Sequence, residues 1–269
     1  MYVYKCYTLL MIDITPILQA AQAGGKVLKG YFGKNLEITE KTTVGDFRTQ
    51  ADLDSEKVVL EILGQAFPEF NLHGEESGLQ DKGSEYTFFV DPLDGSNNFV
   101  LGIPYFSCSI GLAKGDQGIV GVVYNPIAEQ LFSAQAGQGA KLNGQPIQVS
   151  KEQNPERCSV ALACGYETPV EFQNKLFNQL HEDLKRVLTN WGVALDFCLL
   201  ASGTIEGLVF KDLEVYDFVA GKVIAQEAGA KLTGFDGSAA LDFRQAACVA
   251  SNGSPIHQKI LDMLHIKAG

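Results

Sequence analysis

After Thr15-Pro16, a pair able to cap and start a helix, the apolar residues Ile17, Leu18, Ala21, Val27, Leu28 and Tyr31 recur at helical spacing. A second helical stretch, residues 52–67, carries Leu53, Val58, Val59, Ile62, Leu63 and Ala66 on one side, and Pro68 stops it. The texture then changes. Short β-rich runs follow at 70–72, 87–90, 106–113, 119–124 and 130–134, punctuated by Gly and Pro and by Asn143-Gly144, a hairpin signal. From about residue 150 the order alternates: a strand near 159–163, a helix near 170–184, a helical run to 201, a strand at 205–210, a helix at 216–228, a strand at 248–250 and a last helix from 254 to about 265. The pattern predicts an α+β half at 1–149, with helices on an antiparallel sheet, and an α/β half at 150–269. No linker separates them, so the halves are expected to share a packed interface.

Composition adds exclusions. At 46% hydrophobic and 20% charged residues over 269 positions, the chain has the make-up of a globular protein with a large core. Its longest apolar runs, at 6–12 and 119–124, fall far short of the roughly 18 residues a membrane span needs. Residues 1–10 lack a basic region and a cleavage site and read as a poorly ordered extension rather than a signal peptide. A net charge of −11 disfavours nucleic-acid backbones and anionic lipid surfaces. An acidic chain can still bind phosphate if metal ions or backbone amides supply the positive charge. The six cysteines are scattered, with no CxxC pair, which suits reduced thiols in a cytoplasmic protein and argues against zinc.

Two familiar chemistries find little support. Gly137-Gln138-Gly139 lacks the third glycine and the following helix of a dinucleotide site and reads as a loop. None of His73, His181, His257 and His265 accompanies a nucleophile motif, and the last three fall in helical stretches that suggest surface positions.

The acidic residues are more informative. Asp52 opens the second helix. Glu75 and Glu76 follow a short strand in "HGEES". Asp91 and Asp94 follow another in "DPLDGSNNF", and Asp217 enters the first turn of an apolar helix. Singly, each has a plainer role as a cap, a turn or a solvated charge. Together, Glu75, Asp91, Asp94 and Asp217 form a set of hard oxygen donors whose mutual repulsion cations such as Mg²⁺ would relieve. Pro92 stiffens the turn between Asp91 and Asp94, and the Leu93 carbonyl between them can also ligate. Gly95 and Ser96 leave amides free for phosphate oxygens.

These segments, with "GVVYNP" at 121–126, "GQGAKLNGQPIQVS" at 137–150 and "YDFVAGKVIAQEAGA" at 216–230, resemble the magnesium-dependent, lithium-sensitive inositol monophosphatase family. Relatives in that family include fructose-1,6-bisphosphatases, 3′(2′),5′-bisphosphate nucleotidases and some histidinol phosphatases. The resemblance covers most of the chain and implies a layered αβαβα sandwich. It assigns Glu75, Asp91 and the Leu93 carbonyl to one metal site and Asp91, Asp94 and Asp217 to a second, with Glu75 sharing in a third. Two or three Mg²⁺ ions are implied, with Ser96 and Asp52 orienting and deprotonating a metal-bound water that attacks a small phosphomonoester in line. A homodimer is expected, with no nucleic-acid polymer or membrane as partner. A binding protein without turnover is the non-enzyme alternative, against which the retained Asp52 and Ser96 argue.

The substrate-facing part departs from the family pattern. Tyr216 stands where the family usually has Trp. The Glu of inositol-specific members, seven residues before the last metal Asp, is replaced by Phe210, with Glu214 nearer. "TNWGVALD" matches the family's Arg and "GTA" region only loosely. Phe210, Tyr216 and Trp191 are therefore expected as aromatic substrate contacts, and an adenosine bisphosphate, a sugar phosphate or histidinol phosphate as alternatives to inositol phosphate.

Overall fold

In the computed structural model, which describes residues 12–35, 37–40, 47–239 and 242–264, the two N-terminal apolar stripes form helices α1 (Thr15–Tyr31) and α2 (Gln50–Ala66). α1 buries Ile17, Ala20, Ala21 and Leu28, and α2 buries Ala51, Ser55, Val59 and Leu63, each along one face. Between them β1 (Ile38–Glu40) pairs with β2 (Phe47–Thr49) as a short antiparallel ribbon. Three-residue strands with little burial carry no readable period, so this pair is absent from the elements expected above.

The next segment supplies β3 (Asn71–Gly74), β4 (Gly78–Gln80), β5 (Tyr86–Asp94), the five-residue helix α3 (Ser96–Val100), β6 (Ser107–Lys114), β7 (Gln117–Asn125), β8 (Gln130–Gln135), β9 (Ala140–Leu142) and β10 (Gln145–Ile147). Among the described residues these strands make an eight-stranded sheet, ordered β10-β9-β8-β7-β6-β5-β3-β4. Neighbours are antiparallel except β3 and β5. The expected hairpin joins β9 to β10, with Asn143 and Gly144 both left-handed at φ 48° and 78°.

The remaining elements are β11 (Ser159–Cys164), α4 (Val170–Asp183), β12 (Arg186–Leu188), α5 (Val193–Ala201), β13 (Gly207–Lys211), α6 (Val215–Glu227), β14 (Lys231–Thr233), β15 (Ala247–Ser251) and α7 (Ile256–Leu264). Their five strands order as β12-β11-β13-β15-β14, with β11 parallel to both neighbours and β15 antiparallel to both of its own.

Five layers result: α1 and α2, the large sheet, α5 and α6, the small sheet, then α4 and α7. This is the αβαβα sandwich. α6 lies in the middle and is apolar nearly all round, burying Phe218, Val219, Ala220, Val223, Ile224 and Ala225 because a sheet covers it on either side. Its approach to β7 is close enough that a Cβ on Gly121 would fall 2.2 Å from the Ala220 carbonyl oxygen.

Two loop readings gain a physical account. The amides of Gly137 and Gly139 donate to the Glu227 carboxylate at 2.9 and 2.8 Å, so the Gly-Gln-Gly loop receives the C-terminal end of α6 rather than a nucleotide. His257 corrects its surface assignment. It is 1% exposed, between the Ser251 and Thr233 hydroxyls at 2.8 and 3.0 Å, because α7 turns that face onto the small sheet. No described helix is long and apolar enough to cross a membrane. Residues 1–10, including Cys6, and His265 lie outside the described residues.

Candidate active site

Strand pairing brings the first two carboxylates together. Because β3 and β5 run parallel with Gly74 opposite Val90, the next residue of each chain segment, Glu75 and Asp91, emerges at the same sheet edge. The Glu75 amide continues the ladder to the Val90 carbonyl at 3.0 Å. β5 then loses register against β6 between Asp91 and Asp94, and Pro92, which has no amide to give the ladder, occupies that irregularity. Asp91 accepts from the Leu93 amide at 2.9 Å, which tightens the turn.

Asp94 points across to the next layer. Its two oxygens accept from the Val193 and Ala194 amides at 3.1 and 3.2 Å, at the N-terminal end of α5, and from the Ser107 hydroxyl at 3.3 Å. Asp217 arrives in the first turn of α6, where its carboxylate accepts from the Glu214 amide at 2.9 Å in a capping box. Glu75, Asp91, Asp94 and Asp217 all line one cleft of about 1410 Å³, together with Gly95 and Ser96. Gly95 must be glycine: its φ is 90°, and a Cβ would fall 2.9 Å from the Tyr105 carbonyl oxygen.

The electrostatics of the cluster are unfavourable as it stands. Burial, then the charges of Glu75, Asp94 and Asp217, push the Asp91 carboxyl well above the usual range. Burial and the neighbouring Glu75 and Asp94 do the same to Asp217. Asp94 is raised to about 7 by burial and by Asp196, against the lowering effect of its amide and hydroxyl donors. Burial raises Tyr216 as well, with Glu75 and Asp217 adding to it. Arg48, 3.3 Å from Glu76, is the one cation lining the cleft among the described residues. Among those residues, no three His, Cys, Asp or Glu side chains are already arranged to enclose an ion. The chemistry of the donor set nevertheless fits hard divalent cations, since it is made of carboxylates that raise one another and contains no soft ligand.

The profile of the inositol monophosphatase family matches residues 13–268. The chain belongs to that family. It is 35% identical to the fructose-1,6-bisphosphatase/inositol-1-monophosphatase of Aquifex aeolicus over 80% of this chain and 82% of the relative. Identity to Nus factor SuhB of Pasteurella multocida is 34%, over 84% of this chain and 86% of the relative. The crystal structure of extragenic suppressor protein suhB from Bartonella henselae superposes with a TM-score of 0.89 at 31% identity, covering 94% of this chain and 98% of that one. Inositol monophosphatase family members are phosphatases that act on small phosphate esters and generally use a divalent metal.

Within this family frame, the structure sorts the residues expected from sequence. Glu75, Asp91, Leu93, Asp94, Gly95, Ser96, Glu214, Tyr216, Asp217 and Trp191 line the cleft. Asp52 does not. It is 1% exposed, the N3 member of a capping box, accepting from the Thr49 amide at 2.8 Å and hydroxyl at 2.7 Å. Phe210 is a correction. It lies in β13 with no exposed surface, packed on Phe197 and Phe218, because β13 is the central strand of a sheet covered on both faces. Counting seven residues back from Asp217 crosses the loop from β13 to α6 and lands in the core.

Sequence reasoning missed the residues that hold the loops. Glu56, 4% exposed on α2, accepts from the Glu76 and Ser77 amides at 2.8 Å each, and the Ser55 hydroxyl donates to the Pro92 carbonyl at 3.0 Å. Asp52, Ser55 and Glu56 are three and four residues apart on one helix face, a polar stripe that could have been noticed. Asp196, wholly buried on α5, accepts from the Tyr105 hydroxyl and Asn190 amide at 2.7 Å each; burial raises its carboxyl to about 6. An Asp inside an apolar helix was its only signal.

Proposed function

We propose that the chain is a Mg²⁺-dependent phosphatase of small phosphomonoesters, inositol-1-phosphate among them, acting by in-line attack of water on phosphorus. One observation carries this reading: four carboxylates from three separate segments, Glu75 after β3, Asp91 and Asp94 on β5 and Asp217 on α6, face one cleft beside the Gly95–Ser96 turn. Glu75, Asp91, the Leu93 carbonyl, Asp94 and Asp217 would hold two or three ions. Bound there, Mg²⁺ supplies the positive charge that neutralises the phosphate and lowers the barrier to water attack and alcohol departure. The chain's own residues do the rest. The Gly95 and Ser96 segment receives phosphate oxygens, and the Ser96 hydroxyl orients the attacking water. Asp52 does not line the cleft, so the water's proton would reach it by way of the Ser96 hydroxyl, while the new P–O bond forms opposite the P–O bond that breaks and the leaving alkoxide takes a proton from solvent.

Lithium sensitivity, a cytoplasmic location and a homodimer belong to the same proposal. The test is phosphate release from inositol-1-phosphate, fructose 1,6-bisphosphate, adenosine 3′,5′-bisphosphate and histidinol phosphate, with Mg²⁺ and after chelation. Release of phosphate only with Mg²⁺, inhibited by Li⁺, is expected. Full activity after exhaustive chelation would sink the reading. Ser96→Ala should lower kcat about 10²-fold or more with little change in apparent Mg²⁺ affinity, and parental turnover in that variant would remove Ser96 from its assigned place.

A further inference from the structure

Trp191 is placed at a cost that packing does not explain. It is the chain's single tryptophan, and its side chain leaves the residue 59% exposed at the cleft. Its backbone is left-handed at φ 56°, a conformation that a bulky residue adopts only under constraint. The constraint is visible. Asn98 Nδ2 donates to the carbonyls of Asn190 at 2.7 Å, Tyr105 at 2.8 Å and Trp191 at 3.2 Å, and Asn190 donates in turn to buried Asp196.

The preceding asparagine does a parallel job. Asn97 Nδ2 donates to the Tyr166 hydroxyl at 2.6 Å. Tyr166 comes from the loop after β11, is 44% exposed, and its ring stands 6.1 Å from that of Trp191, tilted by 54°. Consecutive asparagines of α3 thus hold Tyr166 through its hydroxyl and Trp191 through its backbone, and the two exposed rings line one cleft. The charges on that cleft point the same way. Glu167 and Glu214 are exposed on its lining, Asp212 there is neutralised by Lys211 at 2.6 and 2.8 Å, and the lone described cation, Arg48, sits against Glu76.

We infer that Trp191 and Tyr166 are the leaving-group wall, and that the cleft selects phosphate esters whose alcohol carries a cationic nitrogen over esters of neutral polyols and over bisphosphates. The inference rests on the phosphatase reading above. An indole face attracts a cation through its quadrupole, Trp most strongly, and the neighbouring carboxylates add to that attraction. A second phosphate would meet the same carboxylates as like charges. A polyol would find aromatic carbon where it needs hydrogen-bond partners.

The test compares kcat/KM for choline phosphate with that for 3,3-dimethylbutyl phosphate, its uncharged carbon isostere. Glycerol 2-phosphate serves as a small reference ester and adenosine 3′,5′-bisphosphate as the doubly phosphorylated one. The parent should favour choline phosphate over the isostere by about tenfold, as a desolvated cation–aromatic contact would give. Trp191→Gly, which suits the left-handed backbone and should fold, is expected to cut that ratio about fivefold, mainly through KM; Trp191→Phe should keep most of it. Equal turnover of the two isosteres by the parent, an unchanged ratio in Trp191→Gly, or a preference for adenosine 3′,5′-bisphosphate would overturn the inference while leaving the phosphatase reading intact. If none of the esters, glycerol 2-phosphate included, releases phosphate with Mg²⁺, both fall together.

Discussion

Asp91 and His257 show how much a single buried titratable group decides, and they do so with opposite signs. Burial and the charges of Glu75, Asp94 and Asp217 push the Asp91 carboxyl well above its ordinary range, so in metal-free protein its ionised form is a destabilising element. Asp91→Asn should therefore raise metal-free stability by about 1–2 kcal/mol while abolishing Mg²⁺-dependent turnover. Urea unfolding in EDTA and phosphate release with Mg²⁺ measure the two effects; a variant that is both active and no more stable would contradict the metal-site assignment.

His257 works through the lowered side of the same linkage. Burial, with Lys231 adding to it, holds its ring neutral down to about 4, against an ordinary value near 6.5. The unfolded chain binds a proton between those values and the folded chain does not, so the stability is complete above about pH 6.5 and is lost as pH falls toward about 4. The unfolding free energy of the parent, less that of His257→Gln, should accordingly shrink over that window. A difference that stays flat with pH would mean the ring is charged in place between Ser251 and Thr233.

At the scale of elements, α2 acts as a bracket for both acidic loops. Glu56 takes two amides of the turn after Glu75, and Ser55 takes the Pro92 carbonyl next to Asp91. Room for that carboxylate exists only because residue 74 is glycine, where a Cβ would fall 2.6 Å from it. Glu56→Ala leaves the amides of half-buried Glu76 and exposed Ser77 without their acceptor and should cost about 1–3 kcal/mol, since hydrogen bonds to a carboxylate are the stronger ones and water replaces part of the loss. It should also raise the Mg²⁺ concentration for half-maximal activity, because Glu75 precedes the released turn. Denaturant midpoints and Mg²⁺ titrations read both, and unaltered Mg²⁺ dependence would separate Glu56 from the site. Both capping boxes belong to this scale too. Asp52 and Asp217 are each the N3 residue of one, so the plain cap reading holds for both side chains, and of the two Asp217 also lines the cleft.

For the molecule as a whole, α6 joins the layers. It starts with Asp217 in the cleft, packs on β7 through Gly121, and ends with Glu227 seated on the Gly137–Gly139 loop. Gly121→Ala drives a methyl group into the Ala220 carbonyl, a backbone atom that cannot swing aside. The expected cost is more than about 2 kcal/mol, with a higher Mg²⁺ requirement as Asp217 moves. Thermal unfolding and Mg²⁺-dependent activity of the variant are the measurements, and a parental Tm would show that the two layers yield freely at that contact.

What the sequence determined by itself was local. Helical periods, the Asn-Gly hairpin and the acidic motifs are set by residues a few positions apart, so α1, α2, α4, α6, the main strands and the carboxylates of the cleft could be read directly, whereas the layered fold came only as what the resemblance to the family implies. Tertiary structure decided everything that depends on pairing between distant segments. The parallel register of β3 and β5 puts Glu75 beside Asp91, and the N-terminal end of α5 comes to Asp94 from 99 and 100 residues away. The same long-range packing buries Phe210 at the centre of the small sheet while leaving Trp191 on the cleft wall. Both are aromatic residues near acidic motifs, and nothing local distinguishes them. A strand covered by helices on both faces has no solvent side, whereas a loop pinned by Asn98 does.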